Sequence, residues 1–373
     1  MLIVSGITNN FAKDSMEMSK SMMNWQQGIK SIETFRHYQN NLKKFLRFTK
    51  IQNYDILVDL PILELKEMLE DFVVSEKKNR LSYSRIKGEI NAIDSFLQNN
   101  DVYIETRRAK KWLPARLKQR NDTPYTTKQL VEILDCLKSK SSFRLRVATH
   151  ILCSSGARVG FSKYLKFKDI GEFQKDGCKS ILIYSGEIDE YYSFINPETV
   201  EVLDQWIEYR KSQGEKLTGS SWVIPAGKDY SKTCVRGDIS SKITERIKTV
   251  DRGEKIRGRF DTAVMHGMRK RWDTVAKDTD GVNYNKIEKM FAHSTTHKLD
   301  TVYYKPKLDE LFKEYDKFYR GLYISDSYKL RVELEQKETV IEENQAQKDD
   351  KIKSLEDRLE RFEAFMKSTV KFD

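Results

Sequence analysis

Apolar positions recur with different periods in different stretches of the chain, and the changes of period divide it. Between Ser31 and Lys50, Phe35, Tyr38, Leu42, Phe45 and Leu46 fall at helical spacing, with Arg36, Lys43, Lys44 and Arg47 on the opposite face. Pro61 opens a second helix carrying Leu63, Leu65, Met68, Leu69 and Phe72. A third runs from Ser82 to about Gln98 with Ile86, Ile90, Ile93 and Phe96 as its stripe, and Lys77, Lys78, Arg80, Arg85 and Lys87 lie around it. Residues 26–106 are thus expected to form a small helical domain with a basic rim, preceded by a loose, Met-rich extension over residues 1–25.

The run RRAKKWLPARLKQRNDTP from Arg107 to Pro124 has two prolines and no apolar period, which predicts a linker over residues 107–125. Helical spacing returns after it. Thr126 or Thr127 caps a helix with Leu130, Ile133, Leu134 and Leu137 inside, and the next, from Phe143 to Ser155, ends at Gly156. The period then shortens to two in Lys179–Tyr184 and Tyr191–Ile195, joined through Ser185-Gly186-Glu187 as a hairpin. Pro197 starts another helix, and two more are expected near 239–250 and 266–276. Residues 126–322 read as one domain. From Lys329 the tail, residues 323–373, is a long helix whose Ile352, Leu355, Leu359, Phe362 and Met366 alternate by three and four. Lys337, Asn344 and Lys348 interrupt the alternation upstream, so it is firm over the last two heptads, where a self-associating coil and a helix folded back on the body are equal readings. The fold class is mainly α with a small antiparallel β-sheet (α+β).

Composition narrows the function. The chain has 373 residues, 33% of them charged, and 67 Lys and Arg against 56 Asp and Glu give a formal +11. The excess of cations lies in residues 1–324, because the tail from Ser325 is net acidic. A basic body points to a polyanionic partner, whereas a lysine-rich surface adapted to heat or salt is the blander alternative. No run of ~18 apolar residues crosses a membrane, and MLIVSGITNN lacks the features of a secretory leader. Cys136, Cys153, Cys178 and Cys234 are far apart and form no C-x-x-C pair, which suits a reducing cytoplasm and neither a zinc ribbon nor a disulfide framework.

Several chemistries lack their motifs. There is no phosphate-binding G-x-x-x-x-G-K-[ST], no G-x-G-x-x-G after a strand and no G-x-S-x-G elbow. His293 and His297 have zinc-like spacing in HSTTH, but Ser294 stands where a zinc hydrolase needs Glu, so no metal is expected. Three other segments remain. Residues 154–170 read SSGARVGFSKYLKFKDI, a helix, a Gly turn, an Arg and then an amphipathic helix. Residues 266–269 read HGMR, which sets His266 and Arg269 on one helix face. Residues 290–306 read MFAHSTTHKLDTVYYKP, a His followed by paired tyrosines. Singly each has a plain structural explanation: Arg158 as a helix cap, His266 as a core histidine, Tyr303 and Tyr304 as packing residues.

In this order the three segments resemble the tyrosine recombinase (phage integrase) family over about residues 30–322, and AHS…YYKPKLDELFKEY is most similar to integrases of archaea and their viruses or plasmids. The resemblance implies a helical core-binding domain, a linker and a catalytic domain clamped round double-stranded DNA, four protomers assembled on two sites, and no metal, nucleotide or other cofactor. It implies a site-specific recombinase of the cytoplasm or nucleoid that integrates or excises a mobile element through a 3′-phosphotyrosyl intermediate. Arg158 and Arg269 would clamp the non-bridging phosphate oxygens, and His293 would donate to one of them. His266 would bond the same phosphate or help to move the nucleophile's proton. The nucleophile is expected at Tyr304, with Tyr303 the alternative. The turn SGEIDE has no Lys where the family carries its general acid; Lys179 is the best substitute and Lys175 a weaker one. Phosphate contacts are expected from Arg36, Lys43, Lys44, Arg85 and Lys87, and from Arg107, Arg108, Lys110, Lys111 and Arg116 lying along the backbone. Two rivals stand beside this reading: a type IB topoisomerase-like or resolving strand-transferase, and a non-catalytic DNA-binding protein whose recombinase site has decayed.

Overall fold

The computed structural model describes residues 19–116, 123–227, 229–256, 259–292 and 304–369, and the chain falls into two compact units, Met1–Gln119 and Arg120–Asp373. In the first, α2 (Ile32–Thr49), α4 (Ile62–Lys78) and α5 (Tyr83–Gln98) follow the apolar stripes. Ser31 and Ser82 start α2 and α5 by accepting backbone N–H bonds through their side chains. Phe45, Phe72, Ile86, Ile90, Ile93 and Phe96 are fully buried where the three helices meet.

Two expectations for this unit are corrected, and one helix is new. Residues 20–25 are not a loose extension. They open α1 (Lys20–Gly28), whose Trp25 is fully buried at 5.3 Å from both Phe35 and Phe96 and donates to Ser95 Oγ at 3.1 Å. An extra short helix, α3 (Tyr54–Asp59), precedes Pro61 and buries Leu57. The stretch expected as a linker also begins with a helix, α6 (Arg107–Lys111), which buries Ala109 and brings Trp112 and Leu113 against the same core. Without an apolar period these segments gave no signal, yet a large side chain each anchors them.

The second unit is built round α8 (Phe143–Ser155), nearly all of which is buried. Beside it lie α7 (Thr127–Cys136), closed by a reciprocal cap between Thr126 and Gln129, α9 (Pro197–Ser212) and α10 (Arg236–Arg246). Strands β1 (Ile170–Phe173), β2 (Lys179–Ile183) and β3 (Tyr191–Ile195) form an antiparallel sheet in that order, with Lys179 opposite Ile195 and Ile183 opposite Tyr191. β1 was not foreseen, because only Ile170 and Phe173 are apolar in it. The short pairs β4 (Pro225–Ala226) with β5 (Asp229–Thr233) and β6 (Lys255–Ile256) with β7 (Arg259–Phe260) complete the strands described. Where an amphipathic helix was expected after Arg158, the chain makes two single 3₁₀ turns, Val159–Lys163 and Phe167–Asp169.

A second core gathers Trp272 and Ala276 of α11 (Val264–Asp278), Met290 and Phe291 of α12 (Tyr284–Phe291), and Phe312 and Tyr315 of α13 (Leu308–Asp316). The last helix, α14 (Asp326–Thr369), leaves the body after Ile324 and Ser325, whose amides donate to Glu198 at 2.8 Å. The architecture is mainly α with a small antiparallel sheet. Among the described residues, no helix is long and apolar enough to cross a membrane.

Candidate active site

Gly156 ends α8 in the left-handed region at φ +65°, and a Cβ there would meet the Trp272 ring at 2.7 Å. Only glycine permits both the turn and the approach. The turn buries Ala157 and brings out Arg158, which is exposed and donates from Nη2 to the carbonyl of Ala292 at 2.9 Å.

Arg269 reaches the same place from α11 but is only 3% exposed. It donates to the carbonyls of Gly156 and Phe291, with its guanidinium carbon 3.4 Å from the centre of the Phe291 ring. Phe291 in turn stacks on Trp272 at 5.3 Å, and Trp272 is tied to the Ser154 carbonyl at 2.9 Å. Two guanidiniums from distant segments therefore converge on adjacent carbonyls at the C-terminus of α12, the negative end of its dipole. Among the described residues neither has a carboxylate partner. Burial pushes Arg269 down to about 10, Tyr191 beside it opposes the shift, and the like charge of Arg158 adds to it. Arg269 remains cationic at neutral pH.

His266 stands in the first turn of α11, exposed and one turn before Arg269. Gly267 between them packs so closely on Thr262 and Tyr125 that a Cβ would come within 2.6 Å of the Thr262 methyl. Met268 is fully buried, so HGMR seats the helix and sets the His266 and Arg269 side chains one turn apart.

Tyr304 lies with its ring centre 5.8 Å from Lys289 Nζ, on the helix whose end the arginines hold. His293 and Tyr303 lie outside the described residues. Lys179 is not brought to the arginines. It starts β2 with Nζ 4.2 Å from the Phe173 ring, four residues or ~13 Å along the strand from the pair of Ile183 with Tyr191. The turn end of the hairpin, where Tyr191 pairs with Ile183, is the part that meets Arg269.

Tyr191 at that end was missed from the sequence. Its hydroxyl is buried beside Arg269, and burial pushes it up to about 12 although both arginines pull it down, which keeps the phenol protonated. Tyr184 packs on it at 6.1 Å and on Tyr164 at 5.3 Å, and a Cβ on Gly160 would meet the Tyr184 hydroxyl at 2.9 Å. The GARVGF segment and the tyrosines flanking the turn were the available signal. Among the described residues no group of three His, Cys, Asp or Glu side chains is arranged to hold a metal. A cavity of about 710 Å³ lined by His150, Glu198 and Tyr328 contains none of the residues above.

The basic rim of the helical unit is only partly free. Lys44 is paired with Glu76 and Glu89, and Arg85 also binds Glu89, at 3.0 Å. Arg108 faces Glu70 at 3.4 Å, Lys110 faces Asp94 at 3.6 Å, and Arg116 lies over the Tyr83 ring at 4.6 Å. Arg107 is exposed but faces Glu105 at 3.9 Å, Arg36, Lys43 and Lys111 are exposed, and Lys87 is half-buried.

No protein-family model and no curated protein matches the chain. Solved structures do. A XerH site-specific recombinase bound to palindromic difH substrate is 16% identical with a TM-score of 0.50, covering 73% of this chain and 79% of that one. The Tn1549 transposon integrase in complex with transposon right end DNA is 15% identical with a TM-score of 0.50, covering 79% and 98%. A lambda integrase dimer bound to a COC′ core site is 15% identical with a TM-score of 0.50, covering 77% and 78%. With its helices and small sheet in this arrangement, the chain has the tyrosine recombinase fold.

Proposed function

We propose that this protein is a site-specific DNA recombinase, an integrase of the archaeal type that its YYKPKLDELFKEY segment resembles, and that it acts on double-stranded DNA of a mobile element as a tetramer. The observation that carries the reading is the convergence of Arg158 and Arg269, uncompensated by any described carboxylate, just before His293. Such a pair has spare donors for a phosphate, since a guanidinium carries five N–H groups and these use one or two on carbonyls.

In the proposed reaction the Oη of Tyr304 attacks the scissile phosphorus, the bond to the 5′ oxygen breaks, and a 3′-phosphotyrosyl link and a 5′ hydroxyl result. Charge develops on the non-bridging oxygens, where Arg158, Arg269 and His293 stabilise it more than in the ground state. His266 serves the same phosphate or the phenol's proton. A phenol with an ordinary pKa of ~10 needs such a positive pocket to react at neutral pH. The ester link conserves the bond energy, so rejoining needs neither ATP nor metal. Exposed Arg36, Lys43, Arg107 and Lys111 would neutralise backbone phosphates.

The test is a nicked suicide duplex carrying the recombination site. Tyr304→Phe is expected to bind it normally and form no covalent adduct, whereas Tyr303→Phe forms one. Adduct that survives Tyr304→Phe and vanishes with Tyr303→Phe moves the nucleophile. The remote position of Lys179 favours a second reading, a DNA-binding protein with no strand transfer, and the absence of adduct from the wild type on its own bound site would establish that instead.

A further inference from the structure

The last two heptads of α14 carry a seam that nothing among the described residues covers. Ile352, Leu355, Leu359, Phe362 and Met366 are 52%, 54%, 61%, 63% and 48% exposed. Their spacing makes Ile352, Leu359 and Met366 the a positions of a heptad, with Leu355 and Phe362 at d. A stripe this apolar on a polar helix is covered in solution by something of the same length and period.

The flanking charges say what. In this register Lys351 and Arg358 occupy g, and Glu356 and Glu363 occupy e. In a parallel, in-register pair each g residue meets the e residue five positions further along the partner, so Lys351 faces Glu356 of the partner subunit and Arg358 faces Glu363 of the partner subunit. Both contacts join opposite charges. In an antiparallel pair g meets g and e meets e, which sets cation against cation and carboxylate against carboxylate. We propose that α14 associates with the α14 of a second copy of this chain as a parallel, in-register two-stranded coiled coil over Ile352–Met366. Isoleucine at the first a position with leucine at the following d is the combination that favours two strands.

Upstream the seam fades. Lys337 and Asn344 fall at g, beside it, whereas Glu338, Gln345 and Lys348 fall within it. Two apolar heptads make a weak zipper, so the free protein is a concentration-dependent dimer that tightens when both copies are held near each other. Association needs neither DNA nor the residues assigned to strand transfer, and its failure would leave the proposed reaction untouched.

Sedimentation of the full chain from ~1 to ~200 µM is expected to show monomer passing to dimer. Leu359→Lys, on an exposed position, should leave monomer throughout. Lys351→Glu with Arg358→Glu should weaken the dimer about tenfold, and adding Glu356→Lys with Glu363→Lys should restore it. Orientation is read by oxidation of Ile352→Cys and Met366→Cys, made separately in a Cys136→Ser background, because the other three cysteines are buried. Both variants crosslink between copies if the helices are parallel. Antiparallel helices allow at most one, since the two positions are ~21 Å apart along the axis. Monomer at every concentration, a dimer indifferent to Leu359→Lys, a larger assembly, or crosslinking of fewer than both variants each overturns the proposal.

Discussion

Arg269 in the second unit and Lys44 in the first are both cations drawn toward the interior, and they meet opposite surroundings. Lys44 lies between Glu76 and Glu89, the latter fully buried and also held by Arg85. Two carboxylates and two cations cancel there. Arg269, 3% exposed, meets two carbonyls, an aromatic face and a second arginine. Carbonyl dipoles solvate its charge without neutralising it. The first arrangement is complete, whereas the second keeps a net positive charge among its described neighbours. Charge count along the chain does not separate them, and the partners do.

The largest expected effect sharpens that contrast. Arg269→Ala should reduce strand cleavage by about 10²–10³ or more and also unfold at lower temperature, because two buried carbonyls lose their donors at about 1–3 kcal/mol each. Arg158→Ala, exposed and bonded among the described residues to the Ala292 carbonyl alone, should lose cleavage by a similar factor while its melting temperature hardly moves. Suicide-substrate kinetics beside thermal melts separate the two. Equal melting of both variants would mean that burial of Arg269 does nothing for the fold.

Removing Lys44 should act in the other direction, on stability rather than on chemistry. Lys44→Ala leaves Glu89 buried with Arg85 alone, and about 1–3 kcal/mol should be lost in urea unfolding, less than for a fully enclosed pair because Lys44 is a third exposed. Adding Glu89→Gln should recover much of it. A single Lys44→Ala that unfolds like the wild type would break the comparison.

A fully enclosed imidazole sits between these extremes. His150 is 4% exposed, its Nδ1 has no partner among the described residues, and burial with the nearby Arg146 pushes its pKa down to about 3. An imidazole can shed its proton where a guanidinium cannot, so this site is neutral when folded. The unfolded chain, with an ordinary histidine near 6.5, binds the extra proton as pH falls. Stability is therefore full above about pH 6.5 and declines on acidification toward pH 3, by about 2 kcal/mol between pH 7 and 5. His150→Gln should flatten that slope in unfolding measured across the range.

The helices with a clean apolar stripe, and the hairpin, were legible because burial on one face imposes a period. Trp25 and Trp112 were not, since one anchoring ring makes no period, and the 3₁₀ turns after Arg158 were hidden by residues whose spacing also fits a helix. The arginines of the site were visible as motif residues, but their convergence is a property of Gly156 and the Trp272–Phe291 stack. Tyr191 and the displacement of Lys179 depend on hairpin register, which the sequence leaves open. Among the rim cations, the acidic partners of Lys44, Arg108 and Lys110 are on other helices and so cannot be read from linear spacing.

The smallest effect tests that last point. Lys43 and Lys44 are neighbours in sequence, yet Lys43 is exposed on α2 whereas Lys44 turns into the acidic pocket. A phosphate contact releases counterions, so Lys43→Ala should weaken duplex binding a few-fold and lower the slope of log affinity against log salt by about one, on any DNA sequence. Its unfolding should match the wild type. Lys44→Ala should do the reverse, leaving the slope unchanged at temperatures where the unit is still folded, because a lysine committed to Glu76 and Glu89 has no counterion role to lose. Fluorescence anisotropy over a salt series reads both. A slope that falls equally for the two variants would mean that DNA draws Lys44 away from its glutamates, and the pairing that separates the two regions would then belong to the free protein alone.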